Sequence, residues 1–298
     1  MNILLAMIPA FFWGTTYAVT QYTLADWPPL LLGAFRALPA GLILLAIKPS
    51  LPNKGDWQIL FSLGLINIAT FFGLIFVMAL TLPSAISGVG MISVPVFAML
   101  YNWLGNKHRP SLTQTLSGAA LIALAWMLFD PASISLNPLG LGAMFGAIMC
   151  IVVGSSITKS LGNRIHWWTV LTWQLIVGGL CLSIAAGVQA TMEPGKYAAV
   201  FEQMTLTNIY GLVWVVGLNT AFGYGMYVWL LQRMSVVDFT FGGIANPIAG
   251  IVCGMILLGE SFTPFQYSLM FGMIVMSLMP QIVLTLRQHR LRAAAVSH

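Results

Sequence analysis

Long apolar runs separated by short polar segments occupy nearly the whole of this sequence. Each run has close to the ~20 residues that a helix needs to cross a bilayer, and the runs lack the alternation of a membrane strand. Because a lipid-exposed segment must satisfy its own backbone hydrogen bonds, we expect helices. The predicted spans are residues 3–21, 29–47, 57–80, 84–104, 112–129, 139–158, 167–187, 208–231, 238–258 and 264–286. The pattern predicts an all-α integral membrane protein with ten transmembrane helices.

The composition leads to the same class of protein. Hydrophobic residues make up 59% of the 298 residues and charged residues only 6%, whereas a soluble domain carries about 25% charged residues. The net charge of +5 comes from basic residues that are scattered singly, so the sequence indicates no nucleic-acid partner. Cys150, Cys181 and Cys253 lie inside apolar runs without metal-site spacing. We therefore expect no metal ion and no other cofactor.

The distribution of Lys and Arg predicts the orientation of the spans. With a cytoplasmic N-terminus, ten basic residues fall in the cytoplasmic loops and the C-terminal tail, and Lys196 alone falls outside. This bias follows the positive-inside rule. We therefore predict a bacterial inner (plasma) membrane protein with both termini in the cytoplasm and an external loop at residues 188–207. Tryptophans at the span ends are expected to lie at the membrane interfaces: Trp27, Trp57, Trp103, Trp167 and Trp168.

Two stretches, residues 67–95 and 219–247, repeat each other at an offset of 152. Five spans in each half give the two halves opposite orientations, so we predict inverted five-helix repeats with boundaries at residues 1–133 and 134–298. The offset of 152 matches Asn67 with Asn219, Phe72 with Tyr224, Gly73 with Gly225, Gly90 with Gly242 and Pro95 with Pro247. Earlier residues match more weakly at an offset near 138, which places Arg36 on Gln174 and Gly41 on Gly179.

Three motifs resemble those of a known family. Trp13-Gly14 lies in the first span, Pro28-Pro29 precedes Arg36 in the second, and Leu257-Leu258-Gly259-Glu260 ends the ninth. The combination resembles the EamA-type transporters of the drug/metabolite transporter superfamily. The resemblance implies ten helices in two inverted repeats, a central cavity, and export of small metabolites, often amino acids.

The chain departs from the family pattern in both halves. Leu104-Gly105-Asn106 stands where the first half would have its glutamate, and Cys150-Ile151 replaces the Trp-Gly pair in the second half. Gln174 stands at the place that Arg36 has in the first half. Whatever Arg36 and Glu260 do, they do it once in the chain.

Polar and aromatic side chains inside the spans are the candidates for substrate binding. In a membrane chain, matching interrupted segments in two halves indicate the substrate site of a transporter. Aromatic, amide and methionine side chains suit an amphipathic solute, although amides also join helices to each other and that alternative remains open. The predicted substrate-binding residues are Trp13, Thr16, Tyr17, Asn67, Phe71, Met78, Met91, Asn219, Tyr227 and Asn246.

Glycines and prolines in the fourth and ninth spans predict bending positions. Proline frees the carbonyl four residues earlier, and glycine lets helices approach closely. We expect one set to serve the cytoplasmic-side motion, namely Gly242, Gly243 and Pro247, and Gly90 and Pro95 to serve the external one.

Arg36 is the one charged residue well inside a span. Such a residue is costly and often functional. It could bind a carboxylate of the substrate or act as a structural clamp, and the structural role is favoured at this stage. Because acidic residues and histidines are absent from the span centres, coupling through a buried carboxylate is not expected. A facilitator or exchanger fits better.

The sequence predicts a secondary transporter rather than an enzyme. The expected activity is export or exchange of small amphipathic metabolites, foremost amino acids including aromatic or apolar ones, by alternating access. The alternatives are a carrier of nucleotide-sugars or of cationic drugs and, much less favoured, an intramembrane enzyme. An enzyme would need a nucleophile–base pair or metal ligands at membrane depth, and all four histidines lie in loops or the tail. The expected partners are the small-molecule substrate and the bilayer, with the protein acting as a monomer.

Overall fold

A computed structural model describes residues 3–107, 109–129, 135–161, 164–231 and 243–296. Within these ranges the regular secondary structure is helical throughout, without a β-strand. This confirms the predicted all-α class. Several of the helices continue directly into short π-helical or 3-10 segments, which lie within the predicted spans.

The first part of the chain, up to residue 129, contains seven α-helices. Helix α1 has 21 residues and follows the predicted first span closely. The elements in order are α1 (Ile3–Thr23), α2 (Pro29–Ile47), a 3-10 turn (Lys54–Asp56), α3 (Trp57–Leu63), a π-helical segment (Gly64–Thr70), α4 (Phe71–Thr81), α5 (Ser84–Gly90), a 3-10 turn (Met91–Ser93), α6 (Val94–Asn106) and α7 (Leu112–Leu128).

The remaining elements begin at residue 138. Proline occupies the first position of α8 and α14, where its missing N–H costs no hydrogen bond. The elements are α8 (Pro138–Leu161), α9 (Trp167–Met192), α10 (Pro194–Glu202), α11 (Leu206–Val213), a second π-helical segment (Trp214–Phe222), α12 (Gly223–Leu231), α13 (Ala245–Leu258) and α14 (Pro264–Val296).

Seven helical segments among the described residues are long and apolar enough to cross a membrane. They coincide with the predicted second, third, fourth, sixth, seventh, eighth and tenth spans. Helices α7 and α13 are shorter apolar helices in the predicted fifth and ninth positions. Large apolar side chains are exposed on several of these helices, including Trp126 at 82%, Leu104 at 78% and Ile256 at 74%. Such exposure suits a protein whose solvent is lipid.

Two sequence expectations differ from the structure outside the spans. The segment expected as the loop 188–207 contains the end of α9 and the helix α10, which begins at Pro194. Tyr197 and Val200 of α10 are buried in an apolar cluster, and this packing explains why the segment is helical. Trp27 belongs to the same cluster and is only 3% exposed, so its prediction as an interfacial residue was wrong.

The chain forms two compact units, each drawing on both halves of the sequence. The larger unit comprises Met1–Gly88 and Asn137–Glu260, and it contains α1–α4 and α8–α13. The smaller unit comprises Val89–Leu136 and Ser261–His298. In the smaller unit α7 packs closely against α14, where Gly272 faces Leu124.

Glycines bring α2 and α9 of the larger unit into close contact. A Cβ atom on Gly41 would lie 2.8 Å from Cγ1 of Ile176, and one on Gly179 would lie 2.6 Å from the backbone nitrogen of Leu38. Small residues let membrane helices approach to this distance. The crossing fixes the positions of Arg36 on α2 and Gln174 on α9, one or two turns away.

Candidate substrate site

Two π-helical segments occur in the described part of the chain, and each contains one of the two asparagines that the repeat pairs. Asn67 lies in Gly64–Thr70 and Asn219 lies in Trp214–Phe222, and both segments end at positions related by the offset of 152. Hydrogen bonds run from i to i+5 in a π-helix, and such segments occur frequently at functional sites. Because this spacing differs from the ~3.6 residues per turn of an α-helix, it changes which side chains share a face.

Asn219 joins the second π-helical segment to α1. Its Nδ2 donates a hydrogen bond to Oγ1 of Thr16 at 2.7 Å, and its backbone oxygen accepts one from Nε1 of Trp13 at 2.9 Å. The ring of Trp13 also contacts the ring of Tyr224, with centroids 5.3 Å apart. Asn219 and Thr16 are both buried. Three of the predicted site residues, Trp13, Thr16 and Asn219, therefore lie together.

Thr220, the next residue, connects the same segment to α2. Its Oγ1 accepts a hydrogen bond from Nε of Arg36 at 2.9 Å and donates one to the backbone oxygen of Val215 at 2.9 Å. The guanidinium of Arg36 lies over the ring of Phe72, with 4.2 Å from Cζ to the ring centroid. Phe76 lies further away, at 5.9 Å.

Tyr17, another predicted site residue, belongs to this group. It is 4% exposed, and it interacts electrostatically with Arg36, as does Tyr224. Residues of α1, α2, α4, the second π-helical segment and α12 thus form one group of buried and half-buried polar and aromatic side chains. We call the residues Trp13, Thr16, Tyr17, Arg36, Phe72, Asn219, Thr220 and Tyr224 the Arg36 cluster.

Asn67, the equivalent of Asn219 in the first half, contacts α8 and α9 of the second half. Its Nδ2 donates a hydrogen bond to Oε1 of Gln174 on α9 at 3.0 Å. Its side chain also packs against Gly154 of α8, where a Cβ would lie 2.5 Å from Oδ1 of Asn67. Gln174 matches Arg36 in the repeat and Asn67 matches Asn219, so this pair corresponds to the contact of Arg36 with Thr220, the residue after Asn219. Asn67 is thus held in a helix–helix contact.

The other predicted substrate-binding residues are distributed as follows. Phe71 and Met78 of α4 are buried. Met91 lies in the 3-10 turn of the smaller unit, which contacts α14. Asn246 lies in the first turn of α13, and its Oδ1 is buried without a hydrogen-bond partner among the described residues. Tyr227 lies in α12, and its side chain falls outside the described residues.

The predicted bending positions lie at breaks in the helices. Gly90 ends α5, and the 3-10 turn Met91–Ser93 interrupts the fourth predicted span just before Pro95. Gly243 lies in a turn that precedes α13, and Pro247 lies in the first turn of that helix. The side chain of Pro95 and all of Gly242 fall outside the described residues.

Glu260, in the turn after α13, anchors the start of α5. Its carboxylate accepts hydrogen bonds from the backbone nitrogens of Ser84 and Ala85. A carboxylate at a helix N-terminus satisfies N–H groups that have no partner within the helix. Burial raises the pKa of the Glu260 carboxyl, and the two N–H groups partly oppose that increase. This geometry gives Glu260 a structural role at the start of α5.

Sequence reasoning missed three members of the Arg36 cluster as site residues. Phe72 and Tyr224 were matched to each other by the repeat but not assigned to the site, and Thr220 was not singled out. The repeat itself could have indicated Phe72 and Tyr224 as site candidates, because each aromatic ring follows one of the paired asparagines by a few residues. Arg36 was recognised as an unusual charge, but its partner Thr220 is 184 positions away.

Comparisons with a family model and with known proteins agree on the family of this chain. Residues 1–129 and 138–279 match the EamA-like transporter family. Protein PecM of Dickeya dadantii (strain 3937) is 32% identical over 259 residues, which cover 85% of this chain and 83% of that protein. The uncharacterized inner membrane transporter YedA of Escherichia coli (strain K12) is 28% identical over 277 residues, covering 88% and 84%.

A solved crystal structure shows the same fold. It superposes with a TM-score of 0.60 at 14% sequence identity, covering 95% of this chain and 98% of its own. Apolar membrane-length helices together with relatives that are transporters define a multi-pass membrane transporter. The chain belongs to the EamA-like transporter family, as the resemblance of its motifs predicted.

Proposed function

We propose that this protein is a secondary transporter that exports or exchanges small amphipathic metabolites, foremost amino acids including aromatic or apolar ones, across the bacterial inner membrane. The observation that carries the proposal is the Arg36 cluster. It combines a cation, an amide, hydroxyl groups and aromatic rings inside apolar helices, around an irregular π-helical segment. Irregular backbone at membrane depth is tolerated where it is buried in protein or lines a cavity, and such segments bind substrates in transporters.

The proposal includes ten spans in two inverted five-helix repeats, residues 1–133 and 134–298. Reciprocal contacts support this arrangement. Gly41 packs on Ile176 while Gly179 packs on Leu38, and both pairs are related by the offset of 138. In a two-fold contact, if residue i touches residue j, the equivalent of i touches the equivalent of j. The matching ends of the two π-helical segments support the same symmetry.

Alternating access would use the breaks in the fourth and ninth spans. Gly88 faces Pro247 and Gly250 of α13 at ordinary contact distance. Because no large side chain interlocks α5 and α13 at this point, the two helices can slide or separate there. We propose Gly90 with Pro95, and Gly242 and Gly243 with Pro247, as the two sets of positions that absorb the backbone change. The first set would serve external opening and the second cytoplasmic opening.

Transport by the purified protein in vesicles tests the proposal. Protein reconstituted into liposomes should take up at least one of a panel of radiolabelled amino acids, in exchange for unlabelled amino acid inside. Empty liposomes and protein carrying Asn219→Ala are the controls. Exchange by the wild type that equals that of empty liposomes for every member of the panel would reject amino acids as the substrate class.

A further inference from the structure

Arg36 is a buried cation without a counter-charge among the residues that the structure describes. It is 4% exposed, and the ion pairs in that part of the chain, Arg164–Asp56 and Lys196–Glu193, do not include it. The titratable groups that interact electrostatically with it are the phenols of Tyr17 and Tyr224. A buried charge is normally paired, since an isolated one is strongly unfavourable.

The hydrogen bonds of Arg36 are also incomplete within the described residues. A guanidinium carries N–H donors on each of its nitrogens and has no acceptor. Nε of Arg36 donates to Thr220, whereas the two terminal nitrogens have no acceptor in the described part of the chain. The donors that are left are those with which arginine binds a carboxylate in a bidentate manner.

The surroundings hold the guanidinium in one orientation. Thr220 accepts from Nε and is itself fixed by its bond to the backbone oxygen of Val215. The face of Phe72 lies 4.2 Å from Cζ, which compensates part of the charge by a cation–π interaction. A structural clamp would use the terminal nitrogens on backbone carbonyls or on an acid. In this structure Thr220 binds the Nε edge of the guanidinium and Phe72 covers one of its faces. The edge that carries the two terminal nitrogens is available for a ligand.

We infer that Arg36 binds an anionic group of the transported solute, and that this group is a single carboxylate. The inference rests on the proposed transport function and narrows its substrate class to organic monoanions and zwitterions. Arg36 is the one Lys or Arg well inside a predicted span. A single cation matches one negative charge, whereas a nucleotide-sugar diphosphate would leave a negative charge unpaired, and a cationic drug would be repelled.

Tyr17, Phe72 and Tyr224 extend the specificity to the body of the solute. Their side chains lie around Arg36, so a carboxylate bound there places the adjoining part of the solute among aromatic rings. Ring faces favour apolar and aromatic groups. The structure thus assigns the carboxylate to Arg36 and the apolar body to the surrounding rings.

Probes that share a phenylpropyl skeleton and differ in the head group and its charge test the assignment. The probes are 3-phenylpropionate, its uncharged amide 3-phenylpropionamide, and 3-phenylpropylamine, and binding is measured by ligand-dependent thermal stabilisation of the purified protein in detergent. We expect the carboxylate to bind at least about tenfold more tightly than the amide, because charge-assisted bidentate bonds are lost with the amide. The amine should bind more weakly than the amide.

Variants separate binding from a structural role. Arg36→Met should bring the affinity for 3-phenylpropionate down to that for the amide, and Arg36→Lys should fall between, since lysine keeps the charge but not the planar fork. In the ligand-free protein Arg36→Met should unfold at the same temperature as the wild type or higher, because an unpaired buried charge is removed. Arg164→Gln, which removes a cation at the surface, is the control and should leave all three affinities unchanged.

The outcomes distinguish this inference from the proposed function. Equal binding of the carboxylate and the amide by the wild type, or binding of neither, would overturn the anion assignment, and this comparison needs no variant to fold. If ligand-free Arg36→Met were destabilised while Arg36→Met and Arg36→Lys both kept the preference for the carboxylate, Arg36 would be a structural clamp and the inference would be overturned as well. Carboxylate-selective binding without exchange in liposomes would reject transport and leave the anion site standing.

Discussion

The rings of Phe72 and Tyr224, residues that the sequence repeat pairs with each other, lie with their centroids 6.4 Å apart. Under the two-fold relation that we propose for the halves, a residue can touch its own equivalent only near the axis. The same two rings adjoin Arg36, which lies over Phe72 and interacts with Tyr224. Arg36, the one buried Lys or Arg among the residues with described side chains, therefore lies beside the place where α4 and α12 approach each other.

Replacement of Asn219 by alanine should impair transport more than stability. The change removes the hydrogen bond to Thr16 and costs about 0.5–1.5 kcal/mol of unfolding free energy. It also removes the amide that positions α1 against the π-helical segment, so exchange in liposomes should fall by roughly an order of magnitude, as for a misplaced binding residue. Thermal unfolding in detergent and exchange rates are the measurements.

Asn67→Ala is the comparison for that variant, because Asn67 contacts Gln174 rather than the Arg36 cluster. We expect a similar loss of stability from the broken amide pair and a smaller loss of transport. Transport kinetics that stay at the wild-type level in both variants would show that neither asparagine lines the substrate site.

The glycine crossing of α2 and α9 gives a prediction for stability with an internal control. In Gly179→Ala the new Cβ would lie 2.6 Å from the backbone nitrogen of Leu38, which forces the two helices apart. Overpacking of this kind costs about 1–3 kcal/mol. Gly187 lies in the same helix, and a Cβ added there would meet no side chain or neighbouring helix of the described residues within 4 Å, so Gly187→Ala should be neutral or slightly stabilising. Equal melting temperatures for the two variants would contradict the close crossing.

The helix positions were largely predictable from the sequence, because lipid imposes one pattern on every span. Seven predicted starts coincide with observed helix starts, at Ile3, Pro29, Trp57, Ser84, Leu112, Trp167 and Pro264. Proline at the first helical position and capping residues such as Ser111 mark these places locally. Residues that signal their role through their immediate neighbours are the ones that a single sequence reveals.

Contacts between distant segments were not predictable in the same way. The π-helical segments carry the same residue types as the surrounding α-helices, so periodicity did not reveal them. Thr220 meets Arg36 and Gln174 meets Asn67 across 184 and 107 positions. The burial of Trp27 was not predictable either. Its position at the end of a span suggested the membrane interface, but packing against Phe35 and Phe201 buries it. Tertiary packing decided each of these cases.

The orientation of the chain can be tested by chemical labelling. The proposed arrangement places Lys196 of α10 outside the cell and Lys107 in the cytoplasm, so we expect cysteines at these two positions to react with an impermeant maleimide from opposite sides of the membrane. The parent should carry serine at Cys150, Cys181 and Cys253, which are partly buried free thiols. Labelling of both sites from the same side would contradict the ten-span arrangement, since that arrangement places an odd number of crossings between them.

Glu260 should stabilise the folded protein by binding the first backbone N–H groups of α5. Its carboxylate accepts two backbone hydrogen bonds, from Ser84 and Ala85, and bonds to a charged group contribute about 1.5–3 kcal/mol each. Glu260→Ala leaves both N–H groups without this partner and should lower the melting temperature clearly. Glu260→Gln keeps one acceptor oxygen and should have an intermediate effect. Glu202→Ala, at an exposed carboxylate in the last turn of α10, is the matched control and should melt as the wild type does. If Glu260→Ala melted together with this control, the carboxylate would not hold the start of α5.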